Sequence, residues 1–107
     1  RYSNLSGGTV VEPTLFELFN QGNTAGQQMG LRVTGGSPWS VVDFYGTLNG
    51  SIDPIDGALI NSANTGGDGS ATININVPAS MSGATAYLRA QDTFFGNKTQ
   101  ILTVVFL

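Results

Sequence analysis

The chain has 107 residues, a length that suits one domain with its own hydrophobic core. It contains no Cys and no His, which excludes disulfides, thiol nucleophiles, Ser-His-Asp triads and the usual zinc sites. Only 10% of the residues are charged, and the formal net charge is −3. The four Lys and Arg residues are scattered singly, so nucleic acid is not an expected partner.

The composition also bears on the compartment in which the protein works. No apolar run approaches the roughly 20 residues of a membrane-spanning helix, so membrane insertion is not expected. Because the chain begins with Arg1, we expect a processed product or a module excised from a longer parent. Low charge with abundant Thr, Ser, Asn and Gly favours a secreted, cell-surface β-domain. Sequons at Asn4, Asn49 and Asn97 are candidate glycosylation sites, although chance sequons are common in so polar a chain.

The first half of the chain contains a polar lead-in and three predicted strands. Residues 1–13 are predicted to be an N-terminal extension or a first strand. Residues 14–20 resemble a helical capping box but are too few for an isolated helix, so a strand is predicted there. Residues 28–34 alternate between apolar and polar, and residues 39–47 form a third strand that begins with the only Trp.

The second half continues with short strands between strong turn signals. Residues 50–57 and 64–69 are rich in Asp and Gly and predict turns, and residues 58–62 between them predict a short edge strand. Residues 70–77 alternate strictly, so one face of that strand is expected in the core and the other in water. The remaining predicted elements are a strand at 85–91, a loop at 92–97 and a closing strand at 100–107.

About seven short strands without intervening helices predict an all-β, antiparallel sandwich of seven or eight strands over residues 14–107. The segments LRVTG, WSVVDFYG, DGSATININVP, AYLRAQD and TQILTVVF, in this order, are similar to immunoglobulin-like or fibronectin-type modules of secreted bacterial surface proteins. The resemblance implies the fold and an extracellular setting, and no particular chemistry. The predicted core consists of Leu15, Met29, Leu31, Val33, Trp39, Val41, Ile73, Ile75, Val77, Leu88, Ile101 and Val105.

The closing strand is apolar on both faces, whereas a strand with one side in water usually carries polar residues at alternate positions. One face, which includes Ile101 and Val105, is assigned to the core. The other face, formed by Leu102, Val104 and Phe106, is then expected to need a cover and is a candidate self-association surface. The cover could be a loop of the same chain, a neighbouring domain of a longer parent or a second copy.

The N-terminal residues suggest how copies could assemble. Thirteen extended residues span about 43–47 Å, enough to cross onto a neighbouring molecule. Donation of a strand carrying Val10 and Val11 would build an open filament held by main-chain hydrogen bonds. The competing interpretation is that residues 9–12 pair within their own sheet.

Three aromatic residues suggest a different function, the stacking of sugar rings. They are Trp39, Phe94 and Phe95. Trp39 stands at the start of a strand, where a core position between the sheets is the competing interpretation. Phe94 and Phe95 are adjacent in a loop and cannot easily both turn inward, so at least one is expected to be exposed.

Carboxylates on turns raise two further possibilities. Asp53, Asp56 and Asp68 offer the oxygen ligands that calcium prefers, although Asp is also common in turns for local hydrogen bonding. No pair of acidic residues in the sequence indicates a catalytic cleft of the glycosidase type, and no enzyme activity is expected. No cofactor other than calcium is suggested by the sequence.

The sequence therefore predicts a non-enzymatic, extracellular structural protein. It would be a surface or fibre subunit whose partners are copies of itself or neighbouring domains of a longer parent. The alternative is a carbohydrate-binding or adhesion module that recognises polysaccharide, with calcium assisting.

Overall fold

The computed structural model describes residues 2–3, 10–11 and 15–107. Its strands are β1 (Tyr2–Ser3), β2 (Val10–Val11), β3 (Glu17–Gln21), β4 (Gln28–Thr34), β5 (Val41–Thr47), β6 (Ala58–Asn64), β7 (Ala71–Asn76), β8 (Thr85–Asp92) and β9 (Leu102–Val105). Two short 3₁₀ turns, Pro54–Asp56 and Ala79–Met81, are the helical elements of these ranges. The described part of the chain contains no helix long and apolar enough to span a membrane.

The last seven strands form two antiparallel sheets that pack face to face. One sheet has the strand order β3-β4-β7 and the other the order β6-β5-β8-β9, so the chain changes sheets after β4, β6 and β7. Strands β1 and β2 pair with each other in a separate two-stranded sheet. The predicted all-β sandwich is confirmed, and each of the seven predicted strands overlaps an observed one.

An apolar core lies between the two sheets because their strands alternate with the predicted period of two. Six predicted core residues are buried as expected: Met29, Leu31, Val33, Ile73, Val77 and Leu88. The rest of the buried apolar set is Leu18, Val42, Phe44, Ala71, Ala86, Ala90, Val104 and Phe106, with Ile75 packed against it and partly buried. Small residues on β8 leave room for Phe44, which is the largest fully buried side chain.

Three core predictions in the first half of the chain are wrong. Leu15 and Trp39 are exposed, and Val41 is only partly buried. The physical reason is that β5 begins at Val41, after a turn that contains Trp39, so the inward positions are Val42 and Phe44. A shift of one residue moves every side chain of a strand to the opposite face.

The closing strand presents the opposite face from the one predicted. Val104 and Phe106 are only 3% and 4% exposed and lie in the protein's own core, with Leu102 packed against them. Val104 pairs with the buried Ala86 of β8, and this pairing fixes the register. The outward residues of the C-terminal segment are Ile101, Val105 and Leu107. Leu102, Val104 and Phe106 therefore do not form a self-association surface.

One side of the sandwich, between the edge strands β3 and β9, is closed by side-chain amides. Gln100 Nε2 donates to the carbonyl of Leu18 at 2.7 Å, and the Leu18 N–H donates to Gln100 Oε1 at 3.0 Å. Asn23 Nδ2 donates to the carbonyl of Val105 at 3.1 Å, and the Leu107 N–H donates to the carbonyl of Asn23 at 2.9 Å. The two amide side chains thus connect edges that belong to different sheets.

The register of β9 predicts opposite effects for two adjacent residues. Phe106→Ala should lower the free energy of unfolding by about 3–5 kcal/mol, because it leaves a cavity in the core. Val105→Ala should change it by less than about 0.5 kcal/mol, because the Val105 side chain lies outside. Urea unfolding of the two variants checks both values, and a larger loss for Val105→Ala would mean that the register is wrong.

Candidate functional site

Three loops meet at one end of the sandwich. They are the β4–β5 loop (residues 35–40), the β6–β7 loop (residues 65–70) and the β8–β9 loop (residues 93–101). The first loop carries Trp39, and the third carries Phe94 and Phe95. These three residues are called the aromatic tip below.

The carboxylate of Asp92 lies beneath the aromatic tip, and the residue is only 1% exposed. Its Oδ1 accepts hydrogen bonds from Ser40 Oγ at 2.6 Å and from the Phe94 N–H at 2.8 Å. Its Oδ2 accepts a hydrogen bond from Ser37 Oγ at 2.5 Å. Because Ser37 and Ser40 belong to the β4–β5 loop and Phe94 to the β8–β9 loop, one buried carboxylate connects both loops that carry the aromatic tip.

The β6–β7 loop is attached to the same structure through Thr65. The Ser40 N–H donates to Thr65 Oγ1 at 2.8 Å, and Thr65 Oγ1 donates to the carbonyl of Ser37 at 2.6 Å. Farther along, the Gly36 N–H donates to the carbonyl of Gly69 at 3.0 Å. Gly69 has a φ of +75°, and a Cβ there would lie 2.0 Å from the Gly36 oxygen, so no other residue fits this contact.

All three aromatic side chains project into solvent. Trp39, Phe94 and Phe95 are 76%, 63% and 72% exposed. The prediction that at least one of the two phenylalanines is exposed is confirmed, and the competing interpretation of Trp39 as a core residue is wrong. The ring of Trp39 is supported from the β6–β7 loop, since a Cβ at Gly67 would lie 3.1 Å from Trp39 Cζ2.

Trp39 also has a strained backbone. Its φ of +54° makes it the one non-glycine residue of the described chain in the left-handed region. For a residue with a bulky side chain this conformation costs roughly 1–2 kcal/mol. The Trp39 N–H donates to the carbonyl of Gly66 at 3.2 Å, which helps to hold the turn in place.

A recess lies beside the aromatic tip. Its volume is about 300 Å³, and it is lined by Leu15, Phe16, Gly35, Gly36, Ser37, Asp92 and Asn97. The exposed polar residues of the neighbouring loops include Asp68, Thr93, Asn97 and Lys98. The end of the sandwich therefore combines apolar rings with hydroxyl and amide groups and with few charges.

The hydrogen bonds to Asp92 determine its protonation. Burial alone would raise its pKa, but the hydroxyls of Ser37 and Ser40 and the N–H groups of Phe94 and Phe95 outweigh this effect. The pKa of Asp92 therefore lies below its ordinary value. The group is charged at neutral pH and acts as an acceptor to all of its donors.

The three candidate calcium ligands do not form one site. Asp53 caps the 3₁₀ turn by accepting from the Ile55 N–H, and its Oδ2 pairs with Arg89 Nη1 at 2.6 Å. Asp68 accepts from both the N–H and the hydroxyl of Ser70, and the backbone bond, followed by the hydroxyl bond, lowers its pKa. Within the described ranges no three acidic residues lie close enough to hold one metal ion. Asp53 and Asp56 lie on one turn and Asp68 on another, and calcium binding by these residues stays a prediction.

The remaining candidate residues are distributed as follows. Asn49 is exposed and its Oδ1 accepts from the Ser51 N–H at 2.9 Å, which leaves its side-chain nitrogen accessible. Asn97 is exposed in the β8–β9 loop, and Asn4 lies outside the described residues. Val10 and Val11 form β2, and the described structure does not extend to their side chains. Glycosylation at the three sequons stays a prediction.

Sequence reasoning did not identify the residues that organise this site. Ser37 and Thr65 fell in predicted turns, Ser40 fell in the strand predicted at residues 39–47, and Asp92 resembled an ordinary turn aspartate. The available signal was the position of Asp92 directly at the end of a strictly alternating strand, where an inward-facing residue would be buried. A buried carboxylate requires donors, and hydroxyl-bearing loop residues are the expected source.

Comparison with known proteins adds no relative to this description. No family model, no curated protein and no solved structure matches the chain. A proposal about function therefore rests on the geometry of the molecule.

Removal of the Asp92 carboxylate should loosen the whole tip. Asp92→Ala leaves the hydroxyls of Ser37 and Ser40 and the Phe94 N–H without their acceptor, so the free energy of unfolding should fall by about 3 kcal/mol. The matched control is Asp56→Ala, which replaces an exposed aspartate of the 3₁₀ turn Pro54–Asp56. This substitution should change the free energy of unfolding by less than about 0.5 kcal/mol. Equal effects of the two substitutions in urea unfolding would contradict the structural role of Asp92.

The charge of Asp92 also predicts a pH dependence. Because its pKa is lower in the folded chain than in the unfolded one, its stabilising contribution is complete above about pH 4 and disappears as the pH falls. Asp92→Asn removes this contribution, so the difference in Tm between pH 7 and pH 3 should be smaller in this variant than in the original protein. A difference of unchanged size would show that Asp92 does not titrate as described.

Proposed function

We propose that this protein is a non-enzymatic recognition module that binds polysaccharide at the aromatic tip. The observation that carries the proposal is Trp39, a large apolar side chain held in solvent on a strained backbone. A sequence selected for stability alone would place Asn or Gly at a φ of +54°. Strain that persists at an exposed residue is typical of a binding site.

The chemistry around Trp39 favours a sugar over other ligands. Aromatic rings stack against the apolar faces of pyranose rings, and neighbouring amide and hydroxyl groups can bond to their hydroxyls. Thr93 and Asn97 lie in the same loop as Phe94 and Phe95 and are exposed. With a net charge of −3 and scattered basic residues, the chain offers no strong electrostatic attraction to nucleic acid or to an anionic surface.

The attachment of the loops favours a preformed site. Asp92, Thr65 and the Gly36–Gly69 contact hold the three loops together through hydrogen bonds within the chain itself. Binding to loops that are already fixed costs less conformational entropy than binding that must first order the loops. The recess of about 300 Å³ next to Asp92 would accept a substituent of the sugar ring.

A second candidate function is self-association as a surface or fibre subunit. The observation that favours it is the outward face of the C-terminal segment, where Ile101, Val105 and Leu107 are all exposed. This face replaces the one predicted from the sequence. Strand β9 is the edge of its sheet, but its outer backbone is bonded to Asn23, so a contact between copies would be made by these side chains and not by main-chain pairing.

The recognition proposal is tested through the only Trp of the chain. A polysaccharide that stacks on Trp39 should shift and partly quench its fluorescence, and titration gives the affinity directly. Phe94→Ala and Phe95→Ala should each weaken binding roughly fivefold, equivalent to about 1 kcal/mol per stacked ring. The control is Leu59→Ala, which removes a similarly exposed apolar side chain from β6, away from the aromatic tip.

Trp39→Asn separates function from folding. Asn adopts the left-handed region more readily than Trp, so the free energy of unfolding should stay the same or rise by up to about 1 kcal/mol. Retention on a panel of insoluble polysaccharides should nevertheless be lost. The recognition proposal is wrong if none of the polysaccharides changes the fluorescence of the original protein. It is also wrong if the Trp39→Asn variant is retained on the polysaccharides as strongly as the original protein is.

Self-association is tested by a charge on the outward face of β9. Val105→Lys should shift any assembled species towards monomer in sedimentation velocity experiments, because it places a charge in an apolar contact. Thr103→Lys, on the same strand and also exposed, tests the extent of that surface. A protein that is monomeric at high concentration before any substitution would contradict this function.

A further inference from the structure

The side of the sandwich opposite the amide-closed one is open. Between the edge strands β6 and β7 lies an apolar groove of about 390 Å³ at the end remote from the aromatic tip. It reaches the buried side chains of the core, and its apolar lining includes Met29, Ile60, Ile75, Met81, Leu88 and Phe106. Both methionines of the chain are among these residues, and their flexible thioethers suit a surface that adapts to an occupant.

The two strands that border this groove have exposed backbone edges. Strand β6 pairs only with β5, and β7 only with β4, among the described residues. The Val77 N–H and carbonyl bond towards the β4 side, so the alternation of an antiparallel strand directs the backbone groups of Thr72, Asn74 and Asn76 towards the open edge. Neither strand contains a charged residue or a proline that would discourage pairing.

The strand order leaves a position for one more strand. In sandwiches of the constant immunoglobulin type, the first sheet has four strands, and the fourth strand of the sandwich in chain order pairs with the fifth. Counted from β3, these two strands are β6 and β7. Here the corresponding strand, β6, has joined the other sheet by pairing with β5. The place beside β7 is therefore vacant, and a strand that filled it would direct alternate side chains into the groove.

We propose that this groove is a strand-acceptor site and that its occupant is the segment around Val10 and Val11 of a second copy. In this segment β2 belongs to neither sheet of the sandwich and pairs only with β1 among the described residues. Valine is a strand-favouring, branched residue that fits an apolar groove of this kind. The proposal is independent of polysaccharide recognition, and its interface is distinct from the outward face of β9.

The geometry favours a second copy over the same chain. Strand β3 starts at the end that carries the aromatic tip and at the opposite edge of its sheet from β7. The six residues from Val11 to Glu17 span at most about 20–22 Å. The vacant place lies three strand spacings, about 14 Å, across the sheet from β3 and about 13 Å along it, so the straight line from Glu17 is about 19 Å. That distance uses nearly the whole reach and leaves too little chain to pass around the outer face of β4 and β7. A neighbouring molecule has no such limit.

The test uses introduced cysteines, which report cleanly because the chain has none of its own. One preparation carries Val10→Cys or Val11→Cys, and a second carries Ile60→Cys in the groove. After mixing and mild oxidation, a disulfide-linked heterodimer is expected on a non-reducing gel for at least one of the two donor positions. The matched control is Leu59→Cys, the exposed neighbour of Ile60 on the same strand, whose yield should be severalfold lower.

Further measurements decide between occupants. An excess of a peptide with the sequence of residues 7–13 should suppress the cross-link, whereas the same peptide with both valines replaced by Asp should not.

Equal yields with Ile60→Cys and Leu59→Cys would overturn the acceptor site. A disulfide that forms only within the double variant Val11→Cys/Ile60→Cys, as a monomer, would overturn the second copy as the donor. Uptake of an apolar dye into the groove without any cross-link would identify a small-molecule site and overturn strand donation. None of these readouts involves a polysaccharide, so their failure leaves the recognition proposal untouched.

Discussion

The burial of one charged carboxylate, Asp92, constrains the loops at the end of the sandwich that carries the aromatic tip. A charge excluded from water is tolerated only when donors surround it, and Asp92 obtains them from Ser37, Ser40 and the backbone of Phe94. Those donors belong to two loops that are distant in sequence. The hydrogen bonds to the Asp92 carboxylate therefore hold the loops of Trp39 and Phe94 next to each other. The exposed rings of the aromatic tip lie close together for that reason.

Under the recognition proposal, folding stability and binding make opposite demands on Trp39. Trp39 is exposed and strained, and neither property helps the chain to fold. The surrounding loops tolerate the strain because Thr65 and Gly69 fix the backbone on either side through short contacts. A sandwich with an extensive buried core can carry such a residue, since the cost of the strain is a small part of the total stability.

The sandwich separates its surfaces. The aromatic tip is at one end, the groove between β6 and β7 opens towards the other end, and the β3–β9 side is closed by Gln100 and Asn23. Recognition and assembly could therefore proceed in the same molecule without competing for residues. A subunit that receives a strand at the groove would still present Trp39 to a ligand.

The sequence by itself determined the all-β class, the approximate positions of the seven sandwich strands and the exposure of at least one of Phe94 and Phe95. The alternation of apolar and polar residues correctly predicted the buried face of a strand where polar residues occupy the solvent-exposed face, as in residues 70–77. It could not orient the closing strand, because both faces there are apolar and only the pairing of Val104 with Ala86 decides which one is buried. It also could not place Trp39, because that depends on the residue at which β5 begins. Tertiary structure alone brought Asp92 to Ser37 and Ser40, separated Asp53 from Asp68 and left the gap between β6 and β7, since contacts between distant segments leave no mark in local periodicity.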